Sequence, residues 1–191
     1  MLPATLGELR TGYRPVDLAA RLLDRLTVAM SVVGTLGILA IMVLIACDVI
    51  GRGMFGRPIM GVPEIISMSI LGIVFLQLAN TLARGKLTRA DALINQLARR
   101  APRAGLFVDA VMHAAGALLT GVLVTAFYPL FLRSYGRNET VGTVGQFIAP
   151  IWPVHFIVLA GATVLCAVFV MRAVALFILA FQSAAQERSE P

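Results

Sequence analysis

Four apolar runs, about residues 27–49, 63–83, 106–132 and 151–171, are separated by short stretches dense in arginine, glycine and proline. A helix needs about 20 residues to cross a hydrocarbon core of roughly 30 Å, so each run predicts a membrane-spanning helix. The first, TVAMSVVGTLGILAIMVLIAC, is too long for a signal-peptide core. Acids as well as arginines precede it and no small-residue cleavage site follows, so it is expected to stay in the mature chain. The predicted fold is all-α, one membrane domain over 1–191 built as a four-helix bundle.

Two polar stretches also carry helical periodicity. PVDLAARLLDRL, over about 15–26, has Pro15 suited to a first turn and Asp17 and Arg21 at i, i+4. LTRADALINQLARR, over about 88–101, starts with Thr88 and Asp91 in capping-box-like spacing. Leu87, Ala90, Ile94, Leu97 and Ala101 then recur at helical spacing, with basic residues elsewhere. Both predict amphipathic helices lying in the interface, their basic faces toward anionic lipid. Orientation follows from Lys and Arg. The N-terminal segment, the 84–105 connection and the C-terminal end hold twelve, and the two other loops hold four. Both termini are therefore expected in the cytoplasm, with the 50–62 and 133–150 loops outside.

Composition agrees with this reading. Charged residues make up 14% of the chain, against roughly 25% in soluble domains, and mean hydropathy is +0.87. A net charge of +6 does not point to nucleic acid, because the basic residues lack aromatic interleaving and a binding motif. Cys47 and Cys166 fall inside apolar runs and read as small apolar residues. Arg172 interrupts an apolar run, but Ile151 to Met171 already spans the core, so Arg172 is expected to snorkel to the cytoplasmic headgroups.

No catalytic constellation is present: no G-x-S-x-G, H-E-x-x-H, Walker loop or C-x-x-C. The chain is expected not to be an enzyme and to carry no cofactor. His113 and His155 could ligate a haem only at one depth, and their predicted depths differ by roughly 15 Å. A self-sufficient secondary transporter builds a midplane site from broken helices. The midplane here offers Gly, Ala, Leu and Val, a scatter of Ser and Thr, and Gln77. Glycines and alanines recur in the spans, among them Gly34, Gly116, Gly121 and Gly161, and permit close helix packing. The chain reads as a scaffold.

Between the first two spans stands CDVIGRGMFGRPIMGVPE. Asp48 lies near the outer end of span one, and Arg52 can pair with it at i, i+4 if the helix continues. Gly51, Gly53 and Gly56 are expected to loosen the backbone and Pro58 to stop the helix. Pro63 suits the first turn of span two, where Glu64 meets the positive end of the helix dipole.

The order Asp48-Val49, Arg52, Phe55, Pro58-Ile59, Gly61, Glu64 resembles the signature of the small membrane subunit of tripartite ATP-independent periplasmic (TRAP) transporters, the DctQ family. FLQLANT (75–81), APIWPV (149–154, with Pro150 and Pro153) and Gly161 extend the likeness, as does Asp91 in the connection. Leu87 stands where family members often carry a histidine, a departure that bears on the connection and not on the fold. The resemblance implies an accessory subunit in the bacterial inner membrane. Its implied partners are a large multi-span permease, which holds substrate and coupling sodium, a periplasmic solute-binding protein, and membrane lipid. The implied substrates are organic acids such as dicarboxylates. Asp48, Arg52, Phe55, Pro58, Gly61, Glu64, Asp91, Pro150 and Pro153 are the candidate structural or subunit-contact residues. The alternatives are a stand-alone homo-oligomeric channel or exporter, which needs a polar stripe that no span shows, and a membrane redox subunit.

Overall fold

A computed structural model describes residues 14–85, 102–143 and 147–189. The connection predicted as an amphipathic helix over 88–101, with Asp91 and Leu87, lies outside the described residues. Four helices, α1 (Arg14–Phe55), α2 (Val62–Ala83), α3 (Pro102–Arg137) and α4 (Trp152–Ser189), are each long and apolar enough to cross a membrane. They form an all-α membrane bundle. Short strands β1 (Thr140–Thr143) and β2 (Phe147–Pro150) pair antiparallel between α3 and α4, with Thr140 opposite Pro150. The 133–150 stretch, expected as a plain loop, thus ends in a small hairpin.

α4 is the axis of the bundle. α3 packs along one side of it and α2 along another, while α1 packs on α2 and meets α4 lightly. The turn between α1 and α2 lies at the same end as the β-hairpin, called here the hairpin end. At the opposite, terminal end a core of Ala20, Ala79, Leu82, Ala83, Leu165, Val168 and Ala175 joins α1, α2 and α4. Four of these seven are alanine, which lets the helix backbones approach where lipid supplies no hydrophobic force between them.

Three expectations are corrected. The 15–26 segment is no separate interfacial helix but the first turns of α1, a helix of 42 residues and about 63 Å. After Pro15 it holds no proline or glycine before Gly34, so nothing interrupts the hydrogen-bond ladder. Ala20 faces the core and Leu18 and Leu22 face outward. At its other end α1 runs through Gly51 and Gly53 to Phe55. It stops at Gly56, whose φ of 61° is left-handed, the usual glycine stop, and not at Pro58.

The third correction is Arg172. It does not snorkel: it is 5% exposed, and its guanidinium reaches the Ala83 carbonyl, 3.4 Å away, at the last turn of α2. A helix C-terminus presents carbonyls without intrahelical donors, and a cation there is favoured twice, by hydrogen bonding and by the dipole. α4 is therefore tied to α2 by a polar contact within an apolar interface. Arg172→Met keeps most of the packing and removes the donor. It is expected to destabilise the bundle by about 1–3 kcal/mol, read as a lower unfolding temperature in detergent. An unchanged transition would show that the contact contributes nothing.

Candidate functional site

Asp48 is 6% exposed although it lies on the last turns of α1. Both its carboxylate oxygens are engaged. Oδ2 accepts from Arg52 Nη2 at 2.6 Å and from Arg52 Nε at 3.1 Å. Oδ1 accepts from the backbone N–H of Ile59, eleven residues on, at 2.8 Å. The first pair is the i, i+4 arrangement that continuation of the helix permits. The second fastens the turn back onto the helix that precedes it. A carboxylate below the headgroups is tolerable when each oxygen is paired in this way.

Local chemistry sets up that geometry. Gly56 ends α1, and the N–H of Arg57 returns to the Gly51 carbonyl at 3.2 Å. Pro58 holds φ near −65° directly ahead of the Ile59 amide. Gly61, with φ of 83°, opens α2, and the Ile65 N–H bonds its carbonyl at 3.0 Å. Asp48, Arg52 and Ile59 thus meet, with Pro58 and Gly61 shaping the connection. Glu64 sits half-buried in the first turn of α2 and makes no ion pair among the described residues. Phe55 is 72% exposed and takes no part in these hydrogen bonds. Pro150 ends β2 and Pro153 lies in the first turn of α4, away from Asp48 in the chain and bonded to no part of its network. Asp91 lies outside the described residues.

A second polar cluster at the hairpin end was missed by sequence reasoning. Ser134 is fully buried; its hydroxyl donates to Glu139 Oε2 at 3.2 Å and lies 2.8 Å from His155 Nδ1. With the one hydroxyl proton directed to Glu139, the histidine contact requires Nδ1–H donating to Ser134 Oγ. Serine, histidine and an acid are all present, but the acid holds the serine proton and does not orient the histidine. The order is wrong for a nucleophile. The arrangement instead roots the β-hairpin, because the Ile151 N–H also bonds the Glu139 carbonyl at 3.0 Å. Around it Tyr135 meets Trp152 edge-to-face at 5.8 Å and Phe131 meets Phe156 at 5.8 Å, an aromatic girdle of the kind found at membrane interfaces.

His113 engages elsewhere, through Nδ1 to the Asp109 carbonyl at 2.8 Å, with Phe169 at its edge. The two histidines therefore serve different local networks. Among the described residues no group of three or more His, Cys, Asp or Glu converges as a metal site would require. Asn80, in the FLQLANT run, buries its amide oxygen without a hydrogen-bond partner among the described residues.

Residues 41–179 match the family described as tripartite ATP-independent periplasmic transporters, DctQ component. No curated protein and no solved structure matches the chain.

Proposed function

The chain belongs to the DctQ component family of tripartite ATP-independent periplasmic transporters, and on that premise we propose that it braces a large permease in the bilayer through its hairpin end. As a component of such a transporter it is a multi-pass protein of the bacterial inner membrane, and its family is one of transport and not of enzymes. Both termini lie in the cytoplasm, as the lysine and arginine asymmetry directs, and the α1–α2 turn and the β-hairpin face the periplasm. The large permease carries substrate and coupling sodium. A periplasmic binding protein delivers the solute, an organic acid. The small subunit supplies rigidity and contact surface.

The observation that supports this reading is the double engagement of Asp48. A charged residue placed below the headgroups, fully paired and committed to the shape of one turn, is suited to presenting a surface and not to moving a solute. The broad exposure of apolar side chains on α1 and α3 leaves ample area for a protein partner within the membrane. The test is purification of tagged chain from native membranes in mild detergent, with mass spectrometry of what accompanies it. A multi-span permease at near-equal stoichiometry is expected. Recovery of this chain alone, as a monomer or a ring, would overturn the accessory role and favour a stand-alone channel.

A further inference from the structure

Between α1, α2 and the first turns of α4 runs a groove of about 330 Å³, bounded among others by Val33, Leu44, Ile65, Leu76 and Pro153. Every residue that lines it is apolar except Ser69. From Val33 to Leu44 it follows eleven residues of α1, a length of about 16 Å, and Ile65 to Leu76 gives the same length on α2. A helix 10 Å across would occupy roughly 1,300 Å³ over that length, so a groove of about 330 Å³ does not take one in. Its length and apolar lining suit a hydrocarbon chain. A single protruding side chain from a neighbouring helix would fill only a fraction of the length.

The ends of the groove give it a direction. Along its floor α1 and α2 lie close together: a Cβ on Gly37 would lie 3.1 Å from Ile73 Cδ1, and one on Gly34, at the far end, 2.9 Å from Gln77 Cγ. Its other end, at Leu44, Ile65 and Pro153, opens toward the hairpin end. Charges of both signs flank that mouth. On α1, Asp48 and Arg52 stand one and two turns beyond Leu44 on the same stripe, and the Arg52 side chain is 58% exposed. On α2, Glu64 stands one turn before Met68, which lines the groove, and no ion pair holds it among the described residues. The exposed part of the Arg52 guanidinium, whose Nε and Nη2 Asp48 holds, and the unpaired Glu64 at the mouth of an apolar slot complement a headgroup bearing a phosphate and an ammonium.

We propose that this groove seats one acyl chain of an amine-headed phospholipid from the leaflet at the hairpin end, its ammonium beside Glu64 and its phosphate beside Arg52. The proposal rests on the membrane assignment and not on the accessory role, so the two can fail separately.

The experiment is native mass spectrometry of the delipidated full chain titrated with phosphatidylethanolamine or phosphatidylglycerol. One phosphatidylethanolamine per chain is expected, held more tightly than phosphatidylglycerol. Ala40→Phe places a ring in the groove and is expected to weaken that binding about tenfold or more; Ser69→Phe fills it from α2 and serves if the first variant does not fold. Val43→Phe, on an exposed face outside the groove, should bind as the unaltered chain does. Glu64→Gln should keep the lipid and lose the preference between headgroups. Undiminished binding in a folded groove-filling variant overturns the proposal, and so does equal binding of the two lipids to the unaltered chain. Retained lipid together with loss of a co-purifying protein also overturns it, by showing that the groove seats a polypeptide.

Discussion

Replacing Asp48 by alanine is expected to free the α1–α2 turn and to lower permease recovery and solute uptake together, several-fold, with the chain still inserted. Asp48 alone joins two parts of the site: the Arg52 guanidinium on its own helix and the Ile59 amide across the turn. Alanine removes all three hydrogen bonds at once. The direct readout is hydrogen exchange at the Ile59 amide, which should accelerate because its acceptor is gone. Asp48→Asn should fall between, since its carbonyl oxygen can still accept from Ile59 while its NH₂ faces the donors of Arg52. Arg52→Ala should disturb the turn less than Asp48→Ala, because the Ile59 bond survives, although a carboxylate is then left without its cation. Unchanged exchange at Ile59 would mean that the bond does not hold the turn. Faster exchange with undiminished permease recovery would mean that the turn is not a subunit contact.

The part of this site legible in the sequence is the part set by helical spacing. Asp48 and Arg52 are four apart, and once the helix continues they must lie near each other. The Ile59 bond is of another kind, because it depends on the path of the chain through Gly56, Pro58 and Gly61, which no periodicity encodes. The same division runs through the fold. Apolar runs located all four spans, since hydrocarbon sets their minimum length. They did not locate the helix ends, because α1 continues into a polar segment of good helix formers and α4 continues past Arg172. Arg172 misled for a definable reason: counting residues places it at the headgroups, and only packing reveals the Ala83 carbonyl beside it. The β-hairpin escaped notice because TVGTVGQFIAP is short and glycine-rich, with strands of four residues. Such a hairpin is marginal alone and is rooted by Ser134, Glu139 and His155, contacts that lie up to 21 residues apart.

Gly161→Ala is expected to destabilise the bundle more than any other single methyl addition to a glycine in the spans. Gly161 lies buried on α4 against the α2 backbone. A Cβ there would sit 2.8 Å from Phe75 Cβ, 2.9 Å from the Phe75 carbonyl oxygen and 3.0 Å from its carbon. Two of those atoms are main chain and cannot turn aside, so α2 and α4 must separate. Separation loosens the terminal-end core downstream of the contact, where Ala79 and Leu82 meet Leu165 and Val168. Van der Waals contact is what holds helices together in lipid, and little replaces it once lost. Overpacking of this kind costs about 1–3 kcal/mol, occasionally more; Gly161→Leu is expected to prevent accumulation of the folded chain. Two other glycines calibrate the effect. A methyl on Gly116 meets only the Phe169 ring, at 2.5 to 2.9 Å, and a ring can swing away. A methyl on Gly121 has Cys166 Sγ as its nearest neighbour at 3.9 Å, ordinary contact distance. Unfolding temperatures in detergent should therefore fall in the order Gly121→Ala, Gly116→Ala, Gly161→Ala. Equal stability of the first and last would show that α2 and α4 do not approach as closely at Phe75, and with that the tie between the helix carrying Glu64 and the axis of the bundle would be lost.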